Sequence, residues 1–374
     1  MSENSALPAQ LSSAELPPSE LQFEQPSIEA YLAQASSGRR QPLAGFDEDY
    51  TDIVDYIVRC THKIWEEKAV GLIYTHYAHN AVVHTSGGTI YGREAVVRNT
   101  LQSLAMTADI RDYTDDVIWS GDERNGFYTS HRVLDSSTHT GYSAFGPPTG
   151  RRFERWVIAD CRVIGNRIVE EWLTYDTTAS LTQLGYDPLE LARRSVLPPS
   201  VHTVGEVHRQ PGGQQAPAVL EIPAADESQH FEPQRFVWAL LNNLWNARLV
   251  NMVRLHYAPG HVAFVPGGRK LYGHAEYENF VITLLACFPD LALTIDHQNH
   301  LGDAERGYRV ATRFTLQGTH QGYGPYGAPT GRRVFMIGIS HHVVLGGQVV
   351  QEWTLFDEFE LLRQLHGQIG GALR

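Results

Sequence analysis

Two ionisable side chains stand near the ends of apolar, strand-like runs in the second half of the chain. Alternation along a β-strand places each of them on one face with apolar residues. The neighbours on those faces are Phe335, Ile337, Ile339 and Val343 for His341, and Gln351, Trp353 and Leu355 for Asp357. Burial raises the pKa of a carboxyl group toward 7, and an imidazole titrates close to that value. Either group could take a proton from carbon and return it, which is general acid/base chemistry.

Both side chains also have a plain structural explanation. Asp357 precedes the helical pattern of residues 358–365, where Asp is a favoured N-cap residue. A lone histidine on an apolar strand, such as His341, is typical of a hydrogen-bonded core or edge residue. Because His341 and His342 are adjacent, a strand sends them to opposite faces, so they cannot chelate one metal ion together. We therefore predict no metal site.

Composition excludes several classes of protein. The 374 residues include 30 Lys+Arg and 42 Asp+Glu, a formal charge of −12 without a basic run, so we expect no nucleic-acid partner. No apolar run reaches the roughly 20 residues of a membrane-spanning helix, and the Pro- and Ser-rich N-terminus lacks an apolar signal segment. Cys60, Cys161 and Cys287 show no CxxC spacing, which favours buried free thiols. We predict a soluble, cytoplasmic protein that contacts no membrane.

A long internal repeat organises the chain. Residues 138–152 (THTGYSAFGPPTGRR) return as residues 319–333 (THQGYGPYGAPTGRR), with ten of fifteen positions identical at an offset of 181. The same offset aligns Glu171-Trp172 with Glu352-Trp353, and Asp176 with Asp357. Upstream, Trp65 aligns with Trp245 at an offset of 180. The offset changes where residues 88–92 align with residues 268–273, and the extra residue there indicates a loop. The chain is therefore a duplication.

The repeat predicts two domains, residues 46–186 and 230–367. Residues 1–45 read as a flexible tail, residues 187–229 as a linker, and residues 368–374 as a short C-terminal tail. Each copy opens with helical patterns, through Trp65 in the first copy and Leu255 in the second, and continues with runs of period two. This order predicts an α+β class, in which a curved antiparallel sheet wraps around N-terminal helices and leaves a pocket.

The repeated motifs T-H-x-G-Y, G-x-P-T-G-R-R, E-W-x-x-x-D and Q-L resemble the SnoaL-like polyketide cyclase family of the nuclear transport factor 2-like, or ketosteroid-isomerase-like, fold. The resemblance covers about three quarters of the chain and implies two tandem cone-shaped domains. It also implies intramolecular aldol ring closure by acid/base chemistry, without a metal or an organic cofactor.

The resemblance implies an acid/base Asp on the last strand, helped by a polar residue on the preceding strand. The matching positions are Asp176 with Asp160 in the first copy, and Asp357 with His341 in the second. Asp176 precedes a run of small polar residues, so a helix cap is at least as good an explanation for it. The two P-T-G-R-R segments fit hairpin turns better than a phosphate site, because no helix follows them.

Four further residues could line a binding site. His139 and His320 recur in T-H-x-G, and an aromatic wall of Trp172 and Trp353 would suit a flat polycyclic ligand, although all four could be structural. The second copy has Phe335 and Val343 where the first has Glu154 and Arg162. Because apolar walls raise a carboxyl pKa more effectively, we predict that the second copy is the better catalyst.

Three functions remain open at this point. The first is an acid/base cyclase or isomerase for a hydrophobic carbonyl compound. The second is a small-molecule binding protein in which the acidic residues are helix caps. The third is an assembly module whose halves pair as an internal pseudo-dimer, with a homodimer as a further possibility.

Overall fold

Each domain begins with helices that bury an apolar face. The computed structural model describes residues 31–32, 38–197, 218–223 and 231–369. The carboxylate of Asp52 accepts a hydrogen bond from the Asp55 amide and caps α1 (Ile53–Trp65). A short helix, α2 (Ile73–His76), leads into the sheet, and α3 (Arg93–Met106) follows the first hairpin. Apolar positions three and four residues apart on α1 face the domain interior and are buried.

The first sheet has six strands. They are β1 (Tyr77–Thr85), β2 (Gly88–Tyr91), β3 (Arg111–Asp122), β4 (Gly126–Thr138), β5 (Arg152–Ile164) and β6 (Arg167–Tyr175). Their order across the sheet is β2-β1-β6-β5-β4-β3. The prediction of a wholly antiparallel sheet is wrong for one pair, since β1 and β6 run parallel. Most of the domain separates these two strands along the chain, which is long enough for the crossover that parallel pairing requires.

The second domain repeats this arrangement. Its helices are α6 (Pro233–Leu241), α7 (Met252–His256) and α8 (Gly273–Cys287). Its strands are β8 (Tyr257–Val265), β9 (Arg269–Tyr272), β10 (Ala292–Asp303), β11 (Gly307–Thr319), β12 (Arg333–Leu345) and β13 (Gln348–Phe356), in the order β10-β11-β12-β13-β8-β9. The α+β class and the two tandem cone-like domains are confirmed.

The opening helix of the second domain is shorter than its apolar pattern predicts. After α6 the chain forms one π-helical turn (Asn242–Asn246) and then departs from helical geometry. Arg248 adopts a φ of 58°, in the left-handed region that interrupts a helix. The helical pattern through Leu255 is therefore divided between α6, the π turn and α7.

Further segments join the two domains. The first domain ends in α4 (Thr177–Leu184), α5 (Pro188–Arg194) follows, and α9 (Glu358–His366) ends the second domain. β7 (Val196–Leu197) and β14 (Gln368–Ile369) then pair in parallel, so parts of the predicted linker and C-terminal tail form structure. The predicted domain boundaries stay predictions, and residues 1–30, 33–37, 198–217, 224–230 and 370–374 lie outside the described residues.

The outer faces of the two sheets contact each other reciprocally. The guanidinium of Arg132 lies 3.6 Å from the ring centroid of Trp353, and that of Arg313 lies 3.4 Å from the ring centroid of Trp172. Both pairs are related by the repeat offset of 181 residues. This exchange of equivalent contacts is the pattern of a two-fold symmetric interface. The two halves of the chain therefore pack as an internal pseudo-dimer.

Candidate functional site

A large cavity lies in the first domain, between helices α1 and α3 and the inner face of the sheet. Its volume is about 1080 Å³, and its lining combines an apolar body with several ionisable groups. Alternation along β5 directs its odd-numbered residues inward. These lining residues are Phe153, Arg155, Val157, Ala159 and Cys161. A volume of this size is ample for a drug-sized or polycyclic ligand.

A buried carboxyl group lies at one end of this cavity. Glu171 on β6 sits opposite Cys161 on β5 and lines the cavity. The hydroxyl of Tyr77 donates a hydrogen bond of 3.1 Å to its Oε2. Burial raises the pKa of Glu171 to about 7, and the Tyr77 hydrogen bond opposes that rise only in part. Glu171 is therefore poised to exchange protons near neutral pH.

A buried histidine lies midway along the same face. His131 on β4 is opposite Ala159, and its Nε2 lies 3.0 Å from the hydroxyl oxygen of Thr114. Burial lowers the pKa of His131 to about 3, and the charge of Arg132 adds to this effect. His131 is consequently a neutral imidazole that can form hydrogen bonds in the cavity.

Three charged residues lie side by side at the other end of the cavity. Asp112 on β3 is opposite Asp135 on β4, which is opposite Arg155 on β5. Arg155 Nε donates a 2.9 Å hydrogen bond to Asp135 Oδ2, and Ser137 Oγ donates one of 3.0 Å to Oδ1. Burial, with the charges of Asp135 and Glu66, holds the pKa of Asp112 well above its usual range.

The second domain contributes one wall of this cavity. The start of α9 supplies Asp357, Phe359, Glu360 and Arg363 to the lining. Asp357 Oδ1 accepts hydrogen bonds from the amides of Phe359 and Glu360, at 3.0 and 3.2 Å, and Oδ2 accepts one of 2.7 Å from the Thr177 hydroxyl. Burial and the charge of Glu360 raise the pKa of Asp357 to about 7. Asp357 therefore caps helix α9 of its own domain, and it also lines the cavity of the first domain.

The corresponding space in the second domain is filled. Only about 10 Å³ is open there, no more than the space that one water molecule needs. Larger or apolar side chains occupy the positions that line the first cavity. Leu241 stands for Thr61, Phe280 for Asn99, Leu293 for Asp112, Phe314 for Val133, Leu316 for Asp135 and Phe356 for Tyr175. The prediction that the second copy is the better catalyst rests on Phe335 and Val343, which are not among the residues that line either space in the described part of the chain.

Four predicted site residues lie between the domains instead. His341 Nε2 is 2.7 Å from Ser130 Oγ, and its Nδ1 is 2.8 Å from Arg132 Nη1. Asp160 Oδ2 accepts a 3.4 Å hydrogen bond from Arg313 Nη1. Trp172 and Trp353 stack under the two arginines described above. These residues lie on the outer faces of their strands, so the structure does not bring them to the cavity.

The remaining predicted residues have structural contacts. Asp176 caps α4 and accepts hydrogen bonds from the amides of Gly267 and Gly268 in the second domain, at 2.8 and 2.7 Å. His139 Nδ1 accepts a 3.3 Å hydrogen bond from the Thr149 amide across the loop that follows β4. The equivalent bond, also 3.3 Å, joins His320 to Thr330. None of these three residues is among those that line the cavity in the described part of the chain.

The sequence reasoning missed Glu171 and the Asp112–Asp135–Arg155 group. Glu171 stands next to Trp172 in the repeated E-W motif, so it faces the opposite side of the strand. A comparison of the copies at positions on the face opposite the E-W tryptophan would have found the signal. At those positions the first copy has Asp112, Asp135 and Arg155, and the second has Leu293, Leu316 and Met336.

Two tests for other site classes give negative results over the described residues. No group of three or more His, Cys, Asp or Glu side chains there is placed to hold a metal ion. In the same ranges, no helix has the length and apolarity to cross a membrane.

Solved structures with a similar fold match single domains. IdmH from Streptomyces antibioticus, a candidate polyketide cyclase, is 27% identical, covers 35% of this chain and 97% of its own, and has a TM-score of 0.32. A candidate SnoaL-like cyclase from Jannaschia sp. CCS1 is 17% identical, with coverages of 37% and 98% and a TM-score of 0.32. AclR from Streptomyces galilaeus, a candidate hydroxylase, is 24% identical, with coverages of 37% and 87% and a TM-score of 0.32.

A sequence match to a family model covers part of the second half of the chain. No curated protein matches the chain. The family model described as SnoaL-like polyketide cyclase matches residues 236–365, which is the second domain. The first domain repeats its motifs and its strand order. The second domain therefore matches the SnoaL-like polyketide cyclase family, and the first domain duplicates its motifs and strand order.

Proposed function

We propose that the first domain is an acid/base enzyme that closes or isomerises a hydrophobic carbonyl substrate, with Glu171 as the proton-exchanging group. The observation that carries this proposal is a buried carboxyl with a pKa near 7 in a cavity of about 1080 Å³. A general base works best when its pKa lies near the working pH. The family's cyclase chemistry needs such a group, and the filled second domain has no room for a substrate.

Glu171 has the surroundings that this chemistry needs. As a carboxylate it takes a proton from the carbon between two carbonyl groups, and Tyr77 stabilises the charged form by its hydrogen bond. As a carboxylic acid it returns the proton to the carbonyl oxygen that becomes a hydroxyl during ring closure. The apolar side chains Ile57, Ile73 and Ile168 line the same cavity and exclude water from the reacting carbon.

We assign Asp357 a positioning role rather than a catalytic one. Its two oxygens already accept three hydrogen bonds, which hold α9 and Thr177 at the cavity wall. The same reasoning applies to Asp176, which holds the turn before β9. His341 and Asp160 are proposed to stabilise the domain interface. His139 and His320 are proposed to fix their loops, and Trp172 and Trp353 to support the arginines that pack on them.

The test is proton exchange at an activated carbon. Aryl-substituted β-keto esters are incubated with the full-length protein in D₂O, and loss of the α-proton signal is followed by NMR. We expect Glu171→Gln to slow the exchange by on the order of 100-fold or more, the contribution typical of general base catalysis. Glu352→Gln is the matched control, because Glu352 occupies the equivalent position in the filled domain.

Equal exchange rates for the wild type and Glu171→Gln would contradict the catalytic assignment. Tight binding of the esters without any exchange would instead support a ligand-binding protein on the same fold.

A further inference from the structure

One buried carboxyl group in the cavity has no partner. Asp112 is only 8% exposed and its side chain lines the cavity. Its backbone amide donates to Glu66, but no hydrogen bond to its carboxyl oxygens is present within the described residues. Leaving a buried polar group unpaired costs about 1–3 kcal/mol, and a charged group costs more. The cavity therefore contains a polar group that only a ligand or water can satisfy.

The neighbouring charged groups are already paired. Asp135 is held by Arg155 and Ser137, as described above. Glu66 forms an ion pair of 2.8 Å with Arg111. The charges that face Asp112 are the carboxylates of Asp135 and Glu66, and the cations of Arg155 and Lys68. With Asp112 and Arg111 counted, three acids face three cations, but no ion pair to the Asp112 carboxyl is present within the described residues.

The fold does not need this polar group. The equivalent strands of the second domain carry Leu293, Leu316 and Met336 at the three positions, with the same register between strands. An apolar layer therefore supports the sheet equally well. Arg155 also stacks over the ring of Tyr175, with 4.7 Å from its guanidinium carbon to the ring centroid, so its face is occupied. Asp112 is the member of the layer left to contact a ligand.

We propose that Asp112 binds a protonated amine at one end of the ligand, while the apolar body of the ligand fills the cavity toward Glu171. The proposal rests on the proposed function, because it names the substrate class of the same cavity. An ammonium group supplies the hydrogen-bond donors and the paired positive charge that the Asp112 carboxyl lacks. A ligand carboxylate would meet Asp112 and Asp135, the acids that line this end of the cavity, and an alcohol would bring no charge to pair with Asp112.

The two ends of the cavity are far enough apart for an elongated ligand. Arg155, beside the acidic pair, and Cys161, beside Glu171, are separated by six residues of one strand. At about 3.3 Å per residue this corresponds to about 20 Å along the strand. The substrate class is therefore a long hydrophobic carbonyl compound with a terminal amine.

The experiment compares three probes that share an alkyl chain: decylamine, decanol and decanoic acid. Binding to the full-length protein is measured by calorimetry at pH 7, below the critical micelle concentration of each probe. We expect decylamine to bind at least tenfold more tightly than the other two. Asp112→Asn should remove that preference while leaving the affinity for decanol within about twofold. Glu48→Gln, which removes one acid at an exposed position, is the matched control and should change nothing.

A proton balance gives a second readout. Because burial and the neighbouring carboxylates raise the pKa of Asp112, an ammonium group that binds beside it should release a proton. Calorimetry in buffers of different ionisation enthalpy measures this release, and Asp112→Asn should abolish it. Equal affinities for the amine and the alcohol, or tightest binding of the acid, would overturn the proposal. These binding experiments do not depend on turnover, so failure of the Glu171 assignment would be visible separately.

Discussion

At the scale of single residues, the faces of the strands decide which chemistry is available. Alternation correctly grouped Ile339 with His341, and Trp353 with Leu355, because these residues do share a face. That face meets the other domain, whereas the cavity lies on the opposite one. Both faces of such a sheet are apolar when a second sheet packs on its outer side. Apolar character alone therefore could not predict which face holds the cavity, and Glu171 was missed.

The pH dependence of stability tests the environment of Glu171. Its pKa rises from 4.5 to about 7 on folding. The folded state thus binds the proton more tightly, so this contribution to stability is full below pH 4.5 and is lost as the pH rises through 7. Glu171→Gln should flatten the decline in unfolding free energy over that range by at most about 3 kcal/mol. Urea unfolding at a series of pH values measures it.

The control for this experiment is Glu352→Gln. Contacts with His342, Thr354 and Tyr277 lower the pKa of Glu352 despite its burial, so its contribution has the opposite pH dependence. This variant should leave the decline above pH 4.5 in place. An unchanged slope in Glu171→Gln would show that Glu171 titrates normally.

At the scale of elements, the repeat predicted the helices and most strands, but not what fills each domain. As the opening helical patterns predicted, α1 begins the first copy and α6 begins the second, ahead of the strands. Runs rich in β-branched and aromatic residues predicted β4, β5 and β6. The sequence reasoning did not assign β3, whose run of charged residues weakens the strand pattern. Both domains have the same helices and strands, and the volume of each cavity depends on the individual side chains that face the interior. The patterns that predict helices and strands do not reveal that volume.

Truncations at two equivalent positions test whether the interior of the second domain is filled and that of the first is open. Phe314 packs against the bare backbone of Gly338, where an added Cβ would lie 2.1 Å from the ring. Phe314→Ala should cost about 3–5 kcal/mol of unfolding free energy, as is usual for a filled core. Val133→Ala, at the equivalent position beside the open cavity, should cost only about 1 kcal/mol, because fewer neighbours lose contact. Equal losses would contradict a filled second domain.

At the scale of the whole molecule, the two domains are joined by reciprocal stacking of arginine on tryptophan. Arg132 contacts Trp353 and His341, and Arg313 contacts Trp172 and Asp160. The repeat made an internal pseudo-dimer predictable, although the residues that form it were expected in the pocket. Homodimerisation and a cytoplasmic location stay predictions.

A double-mutant cycle tests this contact. We expect a coupling energy between Arg132→Ala and Trp353→Ala of about 1–2 kcal/mol, the range for a desolvated arginine on an aromatic ring. The matched control is the pair Arg93→Ala and Tyr74→Ala, an arginine–aromatic contact of 4.9 Å within one domain in which Tyr74 is exposed and Arg93 is half-buried. That pair should couple by about 0.5–1 kcal/mol. Additive effects at Arg132 and Trp353 would show that the stacking does not hold the domains together.

The covalent fusion of the copies has a consequence for how this cavity could arise. In an assembly of two identical chains, every substitution appears on both sides, so a residue that fills one cavity also fills the other. Here Leu293 and Asp112 occupy equivalent places without sharing a codon. The second copy was thereby free to fill its own interior. Its helix α9 now contributes residues to the lining of the first domain's cavity. A homodimer of identical chains could not hold one filled and one open domain in this way.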